Sequence, residues 1–252
     1  MAYGWRARIG YMTPAVMEIL PYEWYKLAPE GVGLVGVTFN IRDWKRDEFD
    51  RAIGQVYDVA ESLAGRKVQF LIHGGVPLVV SRGPGFDLEL IRGITERTGL
   101  PATTSVHSGM AALRALGVER VGLVAPYPPE VMDNTAAFLE GNGFKVEARE
   151  RKDVAFKELQ WMEEREIYEF VRSAVVSSAS IDGLYMPCPQ WPVGAMVEAF
   201  EEDFGIPVVT SAAADLWKAC TTLGVGGLQR RGGALMSVRP EPVAGATSGA
   251  AR

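Results

Sequence analysis

An internal repeat is the feature of this 252-residue sequence that most constrains its fold. The segment GLPATTS at 99–105 reappears as GIPVVTS at 205–211, and each copy precedes an alanine-rich stretch that ends in LGV. Earlier landmarks repeat at an offset of 112 residues, since RIG at 8–10 matches RVG at 120–122. Repeated units of this length are supersecondary structures that bury a core by packing together. The repeat therefore predicts two similar halves.

Within each half, short apolar runs alternate with longer segments of helical periodicity. Continuous apolar runs are typical of strands buried on both faces, and their alternation with helices predicts parallel βαβ units. The predicted strands are Ala7–Met12, Val32–Phe39, Val68–Ile72, Ala102–Thr104, Val121–Ala125, Phe144–Ala148, Gly183–Met186 and Val208–Thr210. The predicted helices are Glu48–Leu63, Leu88–Arg97, Gly109–Leu116, Pro129–Glu140, Glu164–Val175, Val193–Phe204 and Ala212–Leu223.

These elements predict an α/β protein with two pseudo-symmetric lobes, each a short parallel sheet flanked by helices, and an active site in the cleft between them. We assign residues 1–117 and 211–225 to an N-terminal lobe and residues 118–210 to a C-terminal lobe. Residues 226–252 are rich in Pro, Gly, Ala and Ser. We expect them to form a flexible tail that cannot bury a core.

Composition excludes several function classes. The net charge of −5 gives no electrostatic basis for binding nucleic acid or an anionic membrane. No apolar run approaches the roughly 20 residues that span a bilayer, and the first residues lack a basic-then-apolar pattern, so we expect neither a membrane span nor a signal peptide. Two cysteines do not make a disulfide framework, so we expect a cytoplasmic protein. No His/Cys cluster predicts a metal site.

Cys188 is the strongest candidate for chemistry. It follows the predicted strand Gly183–Met186, and the ends of buried parallel strands are where α/β sheets present ligands. A helix predicted to begin near Val193 would lower the thiol pKa through its positive end. The alternative interpretation is a small buried hydrophobic residue.

Other candidates also follow strands. The two histidines, His73 and His107, either reach the cleft or are structural groups. The amides of Gly74 and Gly75 have the position to cradle a carboxylate or an oxyanion. Tyr127 either donates to a substrate oxygen or packs at an edge.

Several motifs together resemble the Asp/Glu racemase superfamily, and within it the branch of arylmalonate decarboxylases and maleate isomerases. The resemblance runs from about residue 6 to residue 225 and rests on the order and spacing of the motifs. They are SRGPGF at 81–86, GLPATT at 99–104, LRALGVERV at 113–121, PY at 126–127, AFL at 137–139, Cys188 and GIPVV at 205–209.

The resemblance implies two lobes with the active site between them. Racemases and maleate isomerases of this superfamily carry a cysteine on each lobe, whereas the decarboxylases have glycine in the first lobe. Here that position maps to Gly75, or to Gly74 with a one-residue slip. Cys188 matches the second cysteine and Tyr127 the active-site tyrosine. The implied reaction needs no cofactor: a malonate-type acid loses CO₂, donors hold the enediolate, and Cys188 protonates one face.

The sequence departs from the resemblance around the anion site. Val76 and Pro77 replace the Thr-Ser pair of the decarboxylases, and Pro189 replaces a glycine, so donors are lost. The first loop, with Pro14, lacks the Asn of maleate isomerases. We expect His73, Gln190 or the Gly74 and Gly75 amides to supply the missing donors.

Three functions follow. The first is a decarboxylase of a substituted malonate or related small carboxylic acid, with Cys188 as proton donor. The second is a racemase or maleate-type cis–trans isomerase, with His73 as the opposite base. The third is a non-catalytic carboxylate-binding protein. Each takes a small carboxylic acid as its ligand, and a homo-oligomer is compatible with all three.

Overall fold

The computed structural model describes residues 2–176 and 180–238. Eight strands within these residues form two parallel four-stranded sheets, and both sheets have the same strand order. The first sheet has the order β2-β1-β3-β4, with β1 (Ala7–Thr13), β2 (Val32–Thr38), β3 (Phe70–His73) and β4 (Ala102–Thr104). The second has the order β6-β5-β7-β8, with β5 (Arg120–Ala125), β6 (Lys145–Arg151), β7 (Gly183–Met186) and β8 (Val208–Thr210). The α/β architecture with two similar lobes is confirmed.

Helices flank both sheets. The α-helices are α1 (Ile19–Leu27), α2 (Arg46–Gly54), α3 (Val56–Ala64), α4 (Val76–Val80), α5 (Phe86–Thr98), α6 (Ser105–Ala115), α7 (Pro129–Gly141), α8 (Glu164–Val176), α9 (Val197–Phe204) and α10 (Ser211–Thr222). Short 3₁₀ helices span Phe156–Trp161, Gly194–Met196, Arg230–Gly232 and Ala234–Ser237. No helix among the described residues is long and apolar enough to cross a membrane.

The lobes meet through α6 and α10, which pack against each other, and each contacts strands of both sheets. A buried polar cluster ties this interface. The Tyr11 hydroxyl on β1 donates to Asp215 Oδ2 on α10 at 2.7 Å, and Ser105 Oγ on α6 donates to the same oxygen at 2.6 Å. Because all three residues are buried, these bonds satisfy two hydroxyls and one of the two Asp215 carboxylate oxygens, groups that would otherwise be costly to bury. The exact lobe boundaries stay a prediction.

The single helix predicted over Glu48–Leu63 is wrong, because the structure has two helices there, α2 and α3, with a break at Gln55. Gly54, a poor helix former, ends α2, and the Gln55 amide bonds back to Ala52 O in a tightened last turn. Apolar residues at helical spacing in this segment still face the core on both sides of the break, since Phe49, Val56, Ala60 and Leu63 are all buried.

Two α-helices were not predicted, α1 and α4. Each has a proline in its first turn, Pro21 in α1 and Pro77 in α4. Proline is tolerated there because the amide it lacks would have no partner within the helix. The prolines made both segments resemble loops.

The expectation that the C-terminal segment cannot bury a core is wrong for residues 226–238. Leu235 and Met236 are buried, and the 3₁₀ helix Ala234–Ser237 packs against α10. Trp217 Nε1 on α10 also donates to Val238 O at 3.0 Å. Residues 239–252 of the predicted tail lie outside the described residues.

Candidate active site

A small pocket lies where the carboxyl ends of both sheets meet. Loops that follow β1, β2 and β3 line it from one lobe, and loops that follow β5, β6 and β7 line it from the other. Its volume is about 30 Å³, which holds only about one or two water molecules. Its lining is largely apolar and consists of Thr13, Pro14, Ala15, Ile41, Trp44, Gly75, Pro77, Leu78, Tyr127, Phe156, Cys188, Pro189 and Gln190.

Cys188 lies two residues after β7 and lines this pocket, with 4% of its surface exposed. Burial raises the pKa of the thiol to about 12, although the amides of Gln190 and Trp191 lower it by donating to the sulfur. The expectation that a helix near Val193 lowers this pKa is therefore wrong. Helix α9 begins only at Val197, and desolvation outweighs the backbone donors. At neutral pH the sulfur carries its proton, as an acid requires.

Gly75 occupies the position in the first lobe that Cys188 occupies in the second. Ile72 on β3 pairs with Tyr11 on β1, and Tyr185 on β7 pairs with Leu123 on β5. Gly75 and Cys188 each follow the paired residue by three positions. Gly75 has φ +92°, and a Cβ atom there would lie 2.6 Å from Pro14 Cγ. The first lobe thus has no room for a second side chain opposite the thiol.

The loop that carries Cys188 is held by two buried hydroxyl groups. Tyr127 Oη donates to Pro187 O at 2.9 Å, and Ser211 Oγ donates to the same carbonyl at 2.6 Å. Burial raises the pKa of Tyr127 well above its ordinary value, so the phenol keeps its proton. Tyr127 therefore lines the pocket, but its hydroxyl proton is directed at the backbone of the Cys188 loop.

The groups expected to replace the missing hydrogen-bond donors differ in whether they already donate to another group of the protein. The Gly74 amide donates to Met12 O at 2.7 Å, and Gln190 Nε2 donates to Val16 O at 3.0 Å across the lobes. Among the described residues, the amides of Gly75 and Val76 have no hydrogen-bond partner. Of these backbone donors, Gly75 itself lines the pocket, whereas Gly74 and Val76 do not.

The structure does not bring His73 to the pocket. Its side chain is fully buried against Phe39, with ring centroids 6.0 Å apart, and neither ring nitrogen has a partner among the described residues. Burial lowers its pKa to about 4, so the imidazole is neutral at pH 7. His107 lies elsewhere, with Nδ1 3.0 Å from Asp87 Oδ2.

Trp44 and Phe156 line the pocket and were missed at the sequence level. Their rings meet edge to face with centroids 4.7 Å apart, and Trp44 also contacts the Tyr127 ring at 5.3 Å. Trp44 lies in a loop and Phe156 begins the short 3₁₀ helix Phe156–Trp161, and neither segment is long enough for hydrophobic periodicity to give a signal. The repeat offset would have found them, since the two residues are 112 positions apart.

Within residues 2–176 and 180–238, no three His, Cys, Asp or Glu side chains are placed to hold a metal ion. The fold and the pocket define a two-lobed α/β enzyme with one cysteine at the carboxyl ends of its sheets. The family model for arylmalonate decarboxylase matches residues 9–236. The chain therefore belongs to the arylmalonate decarboxylase family, an enzyme family of lyases and isomerases.

Two relatives and two solved structures are similar to this chain, and the solved structures share its fold. Arylmalonate decarboxylase from Bordetella bronchiseptica is 28% identical over 231 residues, which cover 89% of this chain and 93% of that protein. Maleate isomerase from Nocardia farcinica (strain IFM 10152) is 27% identical over 168 residues, 64% of this chain and 66% of that protein. The crystal structure of arylmalonate decarboxylase has a TM-score of 0.82 at 24% identity and covers 91% of this chain and 99% of its own. Maleate isomerase Iso from Pseudomonas putida S16 has a TM-score of 0.84 at 20% identity, covering 92% and 98%.

Proposed function

We propose that this enzyme decarboxylates a substituted malonate or a related small carboxylic acid without a cofactor, and that Cys188 delivers the proton. The main observation behind this proposal is that Cys188 is a buried, protonated thiol, whereas the equivalent position in the first lobe is Gly75, which has no room for a side chain. A single proton donor, with no side chain on the opposite side of the pocket, suits a reaction that protonates one face of an intermediate.

The reaction needs few groups. Loss of CO₂ breaks the bond from the α-carbon to one carboxyl carbon, and the electron pair remains on an enediolate. The S–H bond of Cys188 then breaks, its proton joins the α-carbon, and the thiolate regains a proton from water. The free amide of Gly75, which lines the pocket, is our candidate for holding an enediolate oxygen, because a backbone donor needs no reorganisation.

The pocket favours a substrate with a small α-substituent. Its volume of about 30 Å³ is well below the roughly 300 Å³ of ordinary ligand sites. Trp44 and Phe156 occupy the space beside Cys188 and Tyr127. We infer that these rings shift when substrate enters and that they limit the size of the group it carries.

The alternative function is a racemase or maleate-type cis–trans isomerase with His73 as second base. The relationship to maleate isomerases supports it. The position of His73 argues against it, because its buried ring does not line the pocket. The raised pKa of Cys188 also disfavours a thiolate attack on maleate, since the nucleophile would be scarce at neutral pH.

Isotope labelling separates these functions. The enzyme is incubated in D₂O with methylmalonate, phenylmalonate or maleate, and CO₂, fumarate and the deuterium content of each product are followed by mass spectrometry. We expect CO₂ release, with one deuterium per product and one enantiomer in excess. Fumarate formation, or exchange that His73→Ala abolishes, would establish the alternative instead.

The role of Cys188 needs its own variant. Cys188→Ala is expected to lose at least about a hundredfold in kcat, the usual contribution of a positioned acid, while Cys220→Ala, at the other buried cysteine, keeps near wild-type activity. Circular dichroism checks that both variants are folded. Decarboxylation by Cys188→Ala at the wild-type rate would end the proposal.

A further inference from the structure

Glu23 is a buried carboxylate that the proposed mechanism does not use. It lies on α1 with 5% of its surface exposed. Its Oε1 accepts a hydrogen bond from the Gly194 amide at 2.7 Å. A Cβ atom on Gly194 would lie 2.7 Å from Glu23 Cδ, so the two groups are in close contact. Glu23 thus bonds to the end of the loop that begins with Cys188, although the two residues belong to different lobes.

Glu23 also faces a second and larger cavity. This cavity has a volume of about 330 Å³ and shares no lining residue with the pocket at Cys188. Its rim carries exposed side chains, so the cavity that Glu23 lines is open to solvent. Besides Glu23, the charged residues that line this cavity are Lys26 on α1, Glu164 on α8, Glu198 on α9 and Arg231 on the 3₁₀ helix Arg230–Gly232. Tyr22 on α1 is the remaining titratable residue of the lining, and the 3₁₀ helix Gly194–Met196 contributes none.

Glu23 acts on Cys188 electrostatically, as the smallest of the causes that shift the thiol pKa, of which burial is the largest. The negative charge of Glu23 contributes to the raised pKa of the Cys188 thiol. Burial raises the pKa of Glu23 itself to about 7, partly offset by the Gly194 amide and by Lys26. Near neutral pH the carboxyl group therefore alternates between its charged and neutral forms, whereas Cys188 stays protonated.

We propose that Glu23 is a positioning residue that sets the strength of Cys188 as an acid: its charged form opposes proton donation by the thiol, and its neutral form, protonated through the larger cavity, permits it. Proton donation turns Cys188 into a thiolate, and a nearby carboxylate destabilises that thiolate. A neutral carboxyl group does not. The role rests on the proposed function, since it acts on the proton that Cys188 delivers to the enediolate.

The first test is the pH dependence of kcat with a substrate that the wild type decarboxylates. The wild-type kcat should fall several-fold as pH rises through about 7, where Cys188 does not titrate. Glu23→Gln keeps the acceptor for the Gly194 amide but removes the charge, so its kcat should stay high across that range. Glu164→Gln, which alters an exposed carboxylate of the same cavity, should keep the wild-type profile. A Glu23→Gln profile that falls as the wild type does would overturn the proposal.

A second test does not need turnover. In a Cys220→Ala background, the rate of alkylation of Cys188 by iodoacetamide reports its thiolate fraction. Above about pH 7, Glu23→Gln should alkylate several-fold faster than the parent, because the thiol pKa falls when the charge is removed. Equal rates in the two folded proteins would refute the coupling. Faster alkylation in a protein that consumes no malonate would uphold the coupling and refute the proposed function.

Discussion

Trp44 and Phe156 meet edge to face over the pocket that holds Cys188, with ring centroids 4.7 Å apart and ring planes at 89°. They occupy equivalent positions in the internal repeat, so each lobe contributes one ring to the contact. Edge-to-face pairs of this kind contribute about 1 kcal/mol beyond simple burial. The contact therefore both joins the lobes and limits the space beside the thiol.

Trp44→Ala should enlarge the pocket and change which substrates fit. We expect kcat/KM for phenylmalonate to rise relative to methylmalonate by about tenfold or more, since filling a matching apolar space contributes about 1–3 kcal/mol. Trp161→Ala is the matched control, because Trp161 is 69% exposed and does not line the pocket. An unchanged ratio of kcat/KM in Trp44→Ala would show that this ring does not limit substrate size.

Gly75→Ala tests whether the first lobe has room for a side chain. Gly75 and Gly83 both have positive φ, +92° and +85°, but only at Gly75 would a Cβ meet an atom, Pro14 Cγ at 2.6 Å. Gly83→Ala should therefore cost about 1 kcal/mol of unfolding free energy from backbone strain alone. Gly75→Ala should cost a further ~1–3 kcal/mol from overpacking, and it should lose activity. Urea unfolding measures both, and equal costs would show that Pro14 yields without strain.

The repeat offset of 112 places Cys188 opposite Val76, and the family resemblance moves the match to the neighbouring Gly75, so this pairing was predictable to within a residue. The repeat did not make Glu23 predictable. Glu23 lies in helix α1, which the sequence did not predict because Pro21 is in its first turn. Its carboxylate also bonds to Gly194, which is 171 residues away along the chain. The hydrogen bonds of Tyr127 to Pro187 and of Gln190 to Val16 could not be predicted either, because they depend on the tertiary arrangement of loops. Sequence patterns decide which loops reach the cleft, and packing decides which of their donors stay free.

Tyr127→Phe and Ser211→Ala test the two hydroxyls that donate to the carbonyl of Pro187. Each single change leaves one donor and should cost about 1 kcal/mol of unfolding free energy. The double variant leaves a buried carbonyl unpaired, so it should cost more than the two single changes together. A double-mutant cycle by urea unfolding measures the difference. Additive costs would mean that the carbonyl finds another donor.

Activity of the same variants separates two roles of Tyr127. If its hydroxyl serves only the Cys188 loop, kcat should fall in Ser211→Ala as well as in Tyr127→Phe, in step with the loss of stability. If the hydroxyl contacts substrate, as the family resemblance implies, Tyr127→Phe alone should lose kcat, well beyond its effect on unfolding. The structure favours the first result, because the phenol donates to Pro187 O.

Asp215 should make the stability of the protein depend on pH. Burial raises its pKa from 3.8 to about 6, although the hydroxyls of Ser105 and Tyr11 lower it. A raised pKa in the folded state means that the stabilising contribution is complete below pH 3.8 and is lost as pH rises through about 6. The loss amounts to ~3 kcal/mol at most, from the size of the shift. Because an asparagine side chain carries no charge, Asp215→Asn should flatten the dependence of unfolding free energy on pH across this interval.

Tyr11→Phe extends this test in the opposite direction. Without the Tyr11 hydroxyl, the carboxylate of Asp215 loses one of the hydrogen bonds that favour its charged form, so its pKa should rise further. The variant should therefore continue to lose stability at higher pH than the wild type does. Urea unfolding at a series of pH values measures all three proteins. Parallel curves for the wild type and Asp215→Asn would mean that Asp215 keeps its ordinary pKa despite its burial, and that the lobe interface tolerates the charge.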